Sequence, residues 1–189
     1  MPTTEQIDGG SPVADHDTDP RIRPLTPSDG AEIWRMVEEI SALEANSAYC
    51  YVLFSSYFGD TCLIAEDDNG RALGFVVGFR PPRQGDTVFV WQVGVLRAAR
   101  GLGLGRRLLS ALVEHTAALG VRYLEATVTP DNQASRALFR SLARELDTEC
   151  SVSPFMGAEL FPGEHEPEEL FRIGPFGEGQ SNSTTQSQV

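Results

Sequence analysis

The sequence predicts an α+β (mixed α/β) fold: a central, mostly antiparallel twisted sheet of about seven strands flanked by about four helices. Three observations predict it. Two turn-rich breaks, Asp67-Asp68-Asn69-Gly70 and Pro81-Pro82-Arg83-Gln84-Gly85-Asp86, divide residues 61–96 into three apolar runs, the pattern of an antiparallel meander. Further stretches repeat apolar residues at three- and four-residue steps, the period of a helix face. Strand-like runs alternate with those helices in the order β-α-α-β-β-β-α-β-α-β-β. The chain has 189 residues, 41% of them hydrophobic, which suits one core of ordinary size.

Residues 1–20 are polar and acidic and read as a disordered tail, because they hold too little apolar surface to repay the entropy of ordering. Ile22-Arg23-Pro24-Leu25 reads as an edge strand, where proline is tolerated. Thr26-Pro27-Ser28-Asp29 offers helix caps, and Ile33, Met36, Val37, Ile40 and Leu43 form the apolar face of the helix that follows. Tyr49 to Phe58 reads as a second helix, of ambiguous period. The meander strands are Thr61–Glu66, Ala72–Arg80 and Thr87–Leu96. Leu104, Leu108, Leu109, Leu112 and Val113 stripe the next helix, which Gly120 ends. Tyr123–Val128 is a strand and Asp131–Arg144 a helix in which Ala134, Leu138 and Leu142 share a face. Short strands near Thr148–Val152 and Leu170–Ile173 complete one folded domain over 21–174, and the polar segment 175–189 reads as a second disordered tail.

The formal charge of −12 argues against a nucleic-acid surface, which needs clustered basic residues. It suits a small cationic partner and equally suits solubility alone. No run of about eighteen apolar residues and no basic-then-apolar leader occur, so the expectation is a cytoplasmic protein with no membrane contact. Cys50, Cys62 and Cys150 are too few and scattered for a disulfide framework, and no ligand spacing suggests a metal.

Arg100-Gly101-Leu102-Gly103-Leu104-Gly105 lies between an apolar strand and an amphipathic helix. Its glycines let bare amide N–H groups approach a ligand, and the helix that follows adds the positive end of its dipole, an arrangement that suits a pyrophosphate. The spacing fits neither the P-loop nor the dinucleotide fingerprint. A glycine-rich turn with no ligand is the bland alternative.

With the element order, Arg100-x-x-Gly103-x-Gly105 resembles the Gln/Arg-x-x-Gly-x-Gly/Ala signature of the GCN5-related N-acetyltransferases, over nearly all of 21–174. The resemblance implies acetyl-CoA as co-substrate. It places Val93, Gly94 and Val95 along the pantetheine arm, with Gly94 as a bulge. It sets Arg100, Gly101, Leu102, Gly103, Leu104, Gly105 and Arg106 at the phosphates. Asn132, Ser135 and Phe139 are then at the next helix, with a simple helix cap as the other reading of Asn132. Phe139 stands where many members carry a tyrosine that protonates the departing thiolate, a step phenylalanine cannot perform.

The stretches Leu43–Tyr51, Tyr57–Cys62 and Gly163–Phe171 look like the L-2,4-diaminobutyrate acetyltransferases of the ectoine pathway, a response to osmotic stress, although those enzymes usually have Asp where Glu44 stands. That resemblance implies acetyl transfer to the 4-amino group of diaminobutyrate by an enzyme that is often a homodimer. Glu44, Asn46, Tyr49, Trp91, His165 and Glu168 become candidate substrate contacts, and Glu168 and His165 the candidate catalytic pair. Carboxylates suit the two ammonium groups of such a substrate, and Trp91 could wall its aliphatic chain. The bland alternatives are a core tryptophan, a solvated acidic loop over 164–169 and a helix-packing Tyr49. Two other functions stay open: an acetyltransferase of this fold acting on another small amine, or a non-catalytic acetyl-CoA-binding regulatory module, suggested by Phe139.

Overall fold

A computed structural model describes residues 19–177. Its elements are β1 (Arg21–Pro24), α1 (Gly30–Glu39), α2 (Ala48–Tyr57), β2 (Cys62–Glu66), β3 (Ala72–Phe79), β4 (Thr87–Val95), α3 (Leu104–Ala117), β5 (Tyr123–Val128), α4 (Gln133–Glu145), β6 (Cys150–Met156) and β7 (Glu168–Ile173). The seven strands form one sheet in the order β1-β2-β3-β4-β5-β7-β6. Every neighbouring pair is antiparallel except β4 and β5. That parallel pair runs only from Thr87↔Tyr123 to Val90↔Ala126. Beyond it, Trp91 to Val95 keep β3 on one side and have no strand on the other among the described residues, so the sheet splits into a gap.

Alternation along the strands sends side chains to two cores. On one face Val76, Val88, Leu124, Ala126 and Phe171 meet the α3 stripe of Leu104, Leu108, Leu109 and Leu112 and the Phe139, Leu142 and Ala143 of α4. On the other, Ile64, Phe75 and Val77 meet Ile33, Met36 and Val37 of α1 and Tyr51 of α2. Each buried leucine of this kind stabilises the fold by about 1.5–3 kcal/mol through apolar burial. The edge strand β1 is held by charge as well: Arg23 binds Asp29 at 2.8 Å and Glu66 at 2.5 Å.

Several expectations are corrected. The first helix ends at Glu39, where Ile40 leaves helical geometry, so Ile40 and Leu43 reach the core from a loop. In α4 the buried stripe is Phe139, Leu142 and Ala143, and Ala134 is exposed. β6 extends to Met156, its Pro154 tolerated because the strand is an edge. Glu168 and Glu169, expected on a loop, begin β7. The expected disordered tails lie outside the described residues except at their inner ends. There Asp19 pairs with Arg107 at 2.6 Å, and Phe176 packs on the core while its N–H donates to Arg122 O at 2.7 Å.

Candidate active site at the split between β4 and β5

The free edge of β4 follows from ladder geometry. Leu96 N–H donates to Leu73 O at 2.9 Å, and the register Gly74↔Val95, Phe75↔Gly94, Val76↔Val93 continues that pairing. Since donors and acceptors alternate along an antiparallel ladder, Gly94 turns its N–H and C=O to Phe75, while Val93 and Val95 turn theirs to the gap. Two of the three expected backbone positions therefore face the opening and Gly94 does not. Gly94 is not a bulge either. A Cβ there would come within 2.7 Å of Phe75, 2.9 Å of Ile40 and 3.0 Å of Leu43, so glycine is required for packing. The bulge lies at Trp91, the extra residue between Val77↔Gln92 and Gly78↔Val90.

At one end of the gap is a groove of about 720 Å³, lined by Val95, the segment from Ala99 to Arg106, and Ala134, Leu138 and Ser141. Gly101 and Gly103 adopt φ of 82° and 73°, in the left-handed region, and Gly103 is the N-cap of α3. Among the described residues the amides of Gly101 to Arg106 make no backbone hydrogen bond, because α3 starts at Leu104 and its first amides have no preceding turn. Free donors and the helix dipole thus converge where an anion would be stabilised. Arg100 Nε donates to Val95 O at 3.1 Å, and Arg106, which flanks the loop, pairs with Glu145 at 2.7 Å.

Across the groove, Asn132 caps α4, its Oδ1 accepting from Ser135 N at 3.0 Å. The expected cap is thereby seen at Asn132, and Ser135 gives that cap its backbone N–H. Phe139 is 2% exposed and packs against Phe171 in the core. It is not among the residues that line this groove, where Leu138 stands.

The bulge sends both Trp91 and Gln92 to the α2 side. Trp91 stacks on Phe54 and Tyr51, with centroids 4.8 and 5.7 Å apart. Tyr51 Oη donates to Gln92 Oε1 at 3.0 Å and accepts from Asn46 N at 3.3 Å, and Gln92 Nε2 donates to Glu44 O at 2.8 Å. The loop carrying Glu44 and Asn46 is therefore tied to β4, with both side chains exposed. Tyr49 is 74% exposed on the outer face of α2 and stays outside this cluster, whose tyrosine is Tyr51. Tyr51 and Gln92 were missed by sequence reasoning; the one signal for Gln92 was a lone amide in an otherwise apolar strand.

Glu168 opens β7 beside the C-terminal end of β5, where Val128 pairs with Glu169. Phe171 and Ile173 belong to the α3/α4 core, so alternation puts Glu168 on the opposite face, the face of Trp91. Burial pushes its carboxyl above the usual range, against the pull of His165 and a hydrogen bond from Thr127. Oε2 is buried and has no hydrogen-bond partner among the described residues. His165 Nε2 lies 3.9 Å from Glu168 Oε1, and Nδ1 is 2.5 Å from Glu166 O. A carbonyl only accepts, so Nδ1 carries a hydrogen and Nε2 is the ring nitrogen on the Glu168 side. The thiols are unsuited to nucleophilic work: burial pushes Cys62 up to about 11 and raises Cys50 and Cys150.

A helix-starting glycine loop, a free strand edge and a split sheet belong together in one known fold, and residues 31–143 match the acetyltransferase (GNAT) family. The chain belongs to that family. Within it, the chain is 49% identical over 151 residues to the L-2,4-diaminobutyric acid acetyltransferase of Shouchella clausii (strain KSM-K16), covering 79% of this chain and 84% of that one. The Halomonas elongata enzyme of the same name is 42% identical over 87% of this chain and 86% of its own. Among GNAT structures, the diaminobutyrate acetyltransferase EctA from Paenibacillus lautus, in complex with its substrate L-2,4-diaminobutyric acid and coenzyme A, superimposes with a TM-score of 0.79. It is 42% identical and spans 86% of this chain and 99% of its own. YncA from Salmonella typhimurium, at 20% identity and a TM-score of 0.66, shares the fold.

Proposed function

We infer that the chain is an N-acetyltransferase that moves the acetyl group of acetyl-CoA to the 4-amino group of L-2,4-diaminobutyrate, giving N4-acetyl-L-2,4-diaminobutyrate and free CoA. The observation that carries it is the meeting of an amide-lined groove and the free edge of β4 at the gap, with Glu168 at the C-terminal end of the neighbouring β5–β7 pair, its buried Oε2 without a hydrogen-bond partner among the described residues. The amides of Gly101 to Arg106 suit the pyrophosphate of acetyl-CoA, and the outward groups of Val93 and Val95 suit the amides of its pantetheine arm. Val93 N–H is the donor for the thioester oxygen as it gains charge during attack. The attacking amine, with an ordinary pKa near 10, must first lose a proton. Glu168 takes it, and His165, whose Nε2 lies 3.9 Å from the carboxyl, passes it to solvent. Glu44 and Asn46 hold the remaining polar groups of the substrate, and Trp91 walls its aliphatic chain.

Placement in the cytoplasm, in ectoine biosynthesis under osmotic stress, extends the same reading. So does a homodimer, supported by Val152 and Phe155, 36% and 52% exposed on the edge strand β6. The test is thiol release from acetyl-CoA with a panel of amines. Diaminobutyrate is expected to give the highest kcat/KM, and equal rates with lysine or spermidine would overturn the assignment.

A further inference from the structure

We propose that Gln92 and Tyr51 are positioning residues that fix the loop between α1 and α2, residues 40–47, beside the gap and so set the length of diamino acid this enzyme accepts. The inference rests on the function proposed above and assigns two residues to its specificity. The Trp91 bulge reverses the alternation of β4, so Gln92 emerges on the same face as Trp91. From there a single directed chain of hydrogen bonds runs out to the loop. Asn46 N–H donates to Tyr51 Oη, Tyr51 Oη–H donates to Gln92 Oε1, and Gln92 Nε2–H donates to Glu44 O. Every donor and acceptor in it has one sense, because a carbonyl oxygen only accepts and a backbone N–H only donates. Tyr51 is 1% exposed, so its hydroxyl has no water to exchange with and the chain is held under a packed ring.

The same loop is held a second time. Gly94, lacking a side chain, lets Ile40 and Leu43 sit where a Cβ would approach them to 2.9 and 3.0 Å. Backbone anchorage at Glu44 and Asn46 leaves both side chains exposed. A rigid backbone presenting free polar side chains is what a recognition loop needs, since specificity depends on holding them at a fixed distance from the reacting centre.

The test uses Tyr51→Phe, Gln92→Met and the double variant, assayed with L-2,4-diaminobutyrate and with the diamino acids one methylene shorter and one longer. The wild type is expected to discriminate between neighbours by about 10–200-fold in kcat/KM, the range one methylene supports. Each variant is expected to narrow that ratio at least about fivefold through the KM of the diamino acid, with the KM of acetyl-CoA within about twofold of wild type. The double variant should be no worse than the more affected single, because both break one chain. Gln92→Met carries the experiment if Tyr51→Phe does not fold. An unchanged ratio in the variants overturns the proposal, as does a parallel loss on all three substrates with a raised KM for acetyl-CoA. If the wild type releases no thiol with any of the three, the functional reading fails and takes this assignment with it.

Discussion

Glu168 combines properties that conflict in a merely structural residue. An unpartnered buried carboxylate oxygen costs on the order of 1–3 kcal/mol and persists where a ligand satisfies it. Its pKa is raised chiefly by burial, so the protonated form survives to higher pH than in an ordinary glutamate. Only the ionised form accepts a proton, and kcat/KM should therefore rise with pH through an acid limb above the usual glutamate range. Glu168→Gln is expected to abolish that limb and lower kcat by about 10²–10⁴-fold, the range of general-base catalysis. The stability sign is opposite. A folded-state pKa above the unfolded one stabilises at low pH and loses that contribution as pH rises through it, so the variant should melt at higher temperature near neutral pH. A variant that kept the acid limb would remove Glu168 from the proton path. Of the residues proposed for this site, family likeness singled out Glu168, Trp91 and Glu44 as candidates, whereas it did not single out Tyr51. Tyr49 and Tyr51 are two positions apart on a helix, hence on different faces, and the helix has no clear apolar stripe from which to choose between them.

The turn before α3 was the most legible element, because glycine alone adopts left-handed backbone without penalty and three occur in five residues. Gly103 holds φ 73°, with open space around it apart from Arg106 at 3.7 Å from a would-be Cβ. Gly103→Val should therefore act in two ways: backbone strain of about 1–2 kcal/mol, and a branched side chain standing among the free amides. The expected result is a coenzyme A affinity reduced at least about tenfold by titration calorimetry, roughly the 1.4 kcal/mol that one lost charge-assisted bond would cost. Unchanged affinity would remove the loop from the phosphate site. Less legible were features that local periodicity does not encode. The bulge at Trp91 and the end of α1 at Glu39 are set by how β3 and the 40–47 loop pack across β4, and the sequence pattern gave no sign of that packing.

Over the whole molecule, the sheet is arranged around one split: β4 pairs with β5 for four residues and then departs, and both proposed binding surfaces lie beside that departure. Antiparallel order and strand count were readable from turns and alternation, but the parallel pair was not, because it joins segments separated by α3. The edge opposite the site depends on charge instead. Arg23 links β1 to Asp29, ahead of α1, and to Glu66 in β2, while Asp29 also accepts from Thr26 N at 2.7 Å. The Arg23 guanidinium holds the Asp29 carboxyl down at about 2, from an ordinary 3.8. A depressed carboxyl pKa contributes stability above the unfolded value and loses it as pH falls through the folded one, so this contribution is complete above about pH 4 and gone below about pH 2. Its size is on the order of 2 kcal/mol, since one pKa unit corresponds to about 1.4 kcal/mol. Asp29→Asn keeps a side-chain acceptor for Thr26 and removes the charge, so in urea denaturation it should lose about that much relative to wild type at pH 7 and converge with it near pH 2. A gap between the two proteins that stayed constant with pH would mean that the capping hydrogen bonds, rather than the ion pair with Arg23, hold this edge of the sheet.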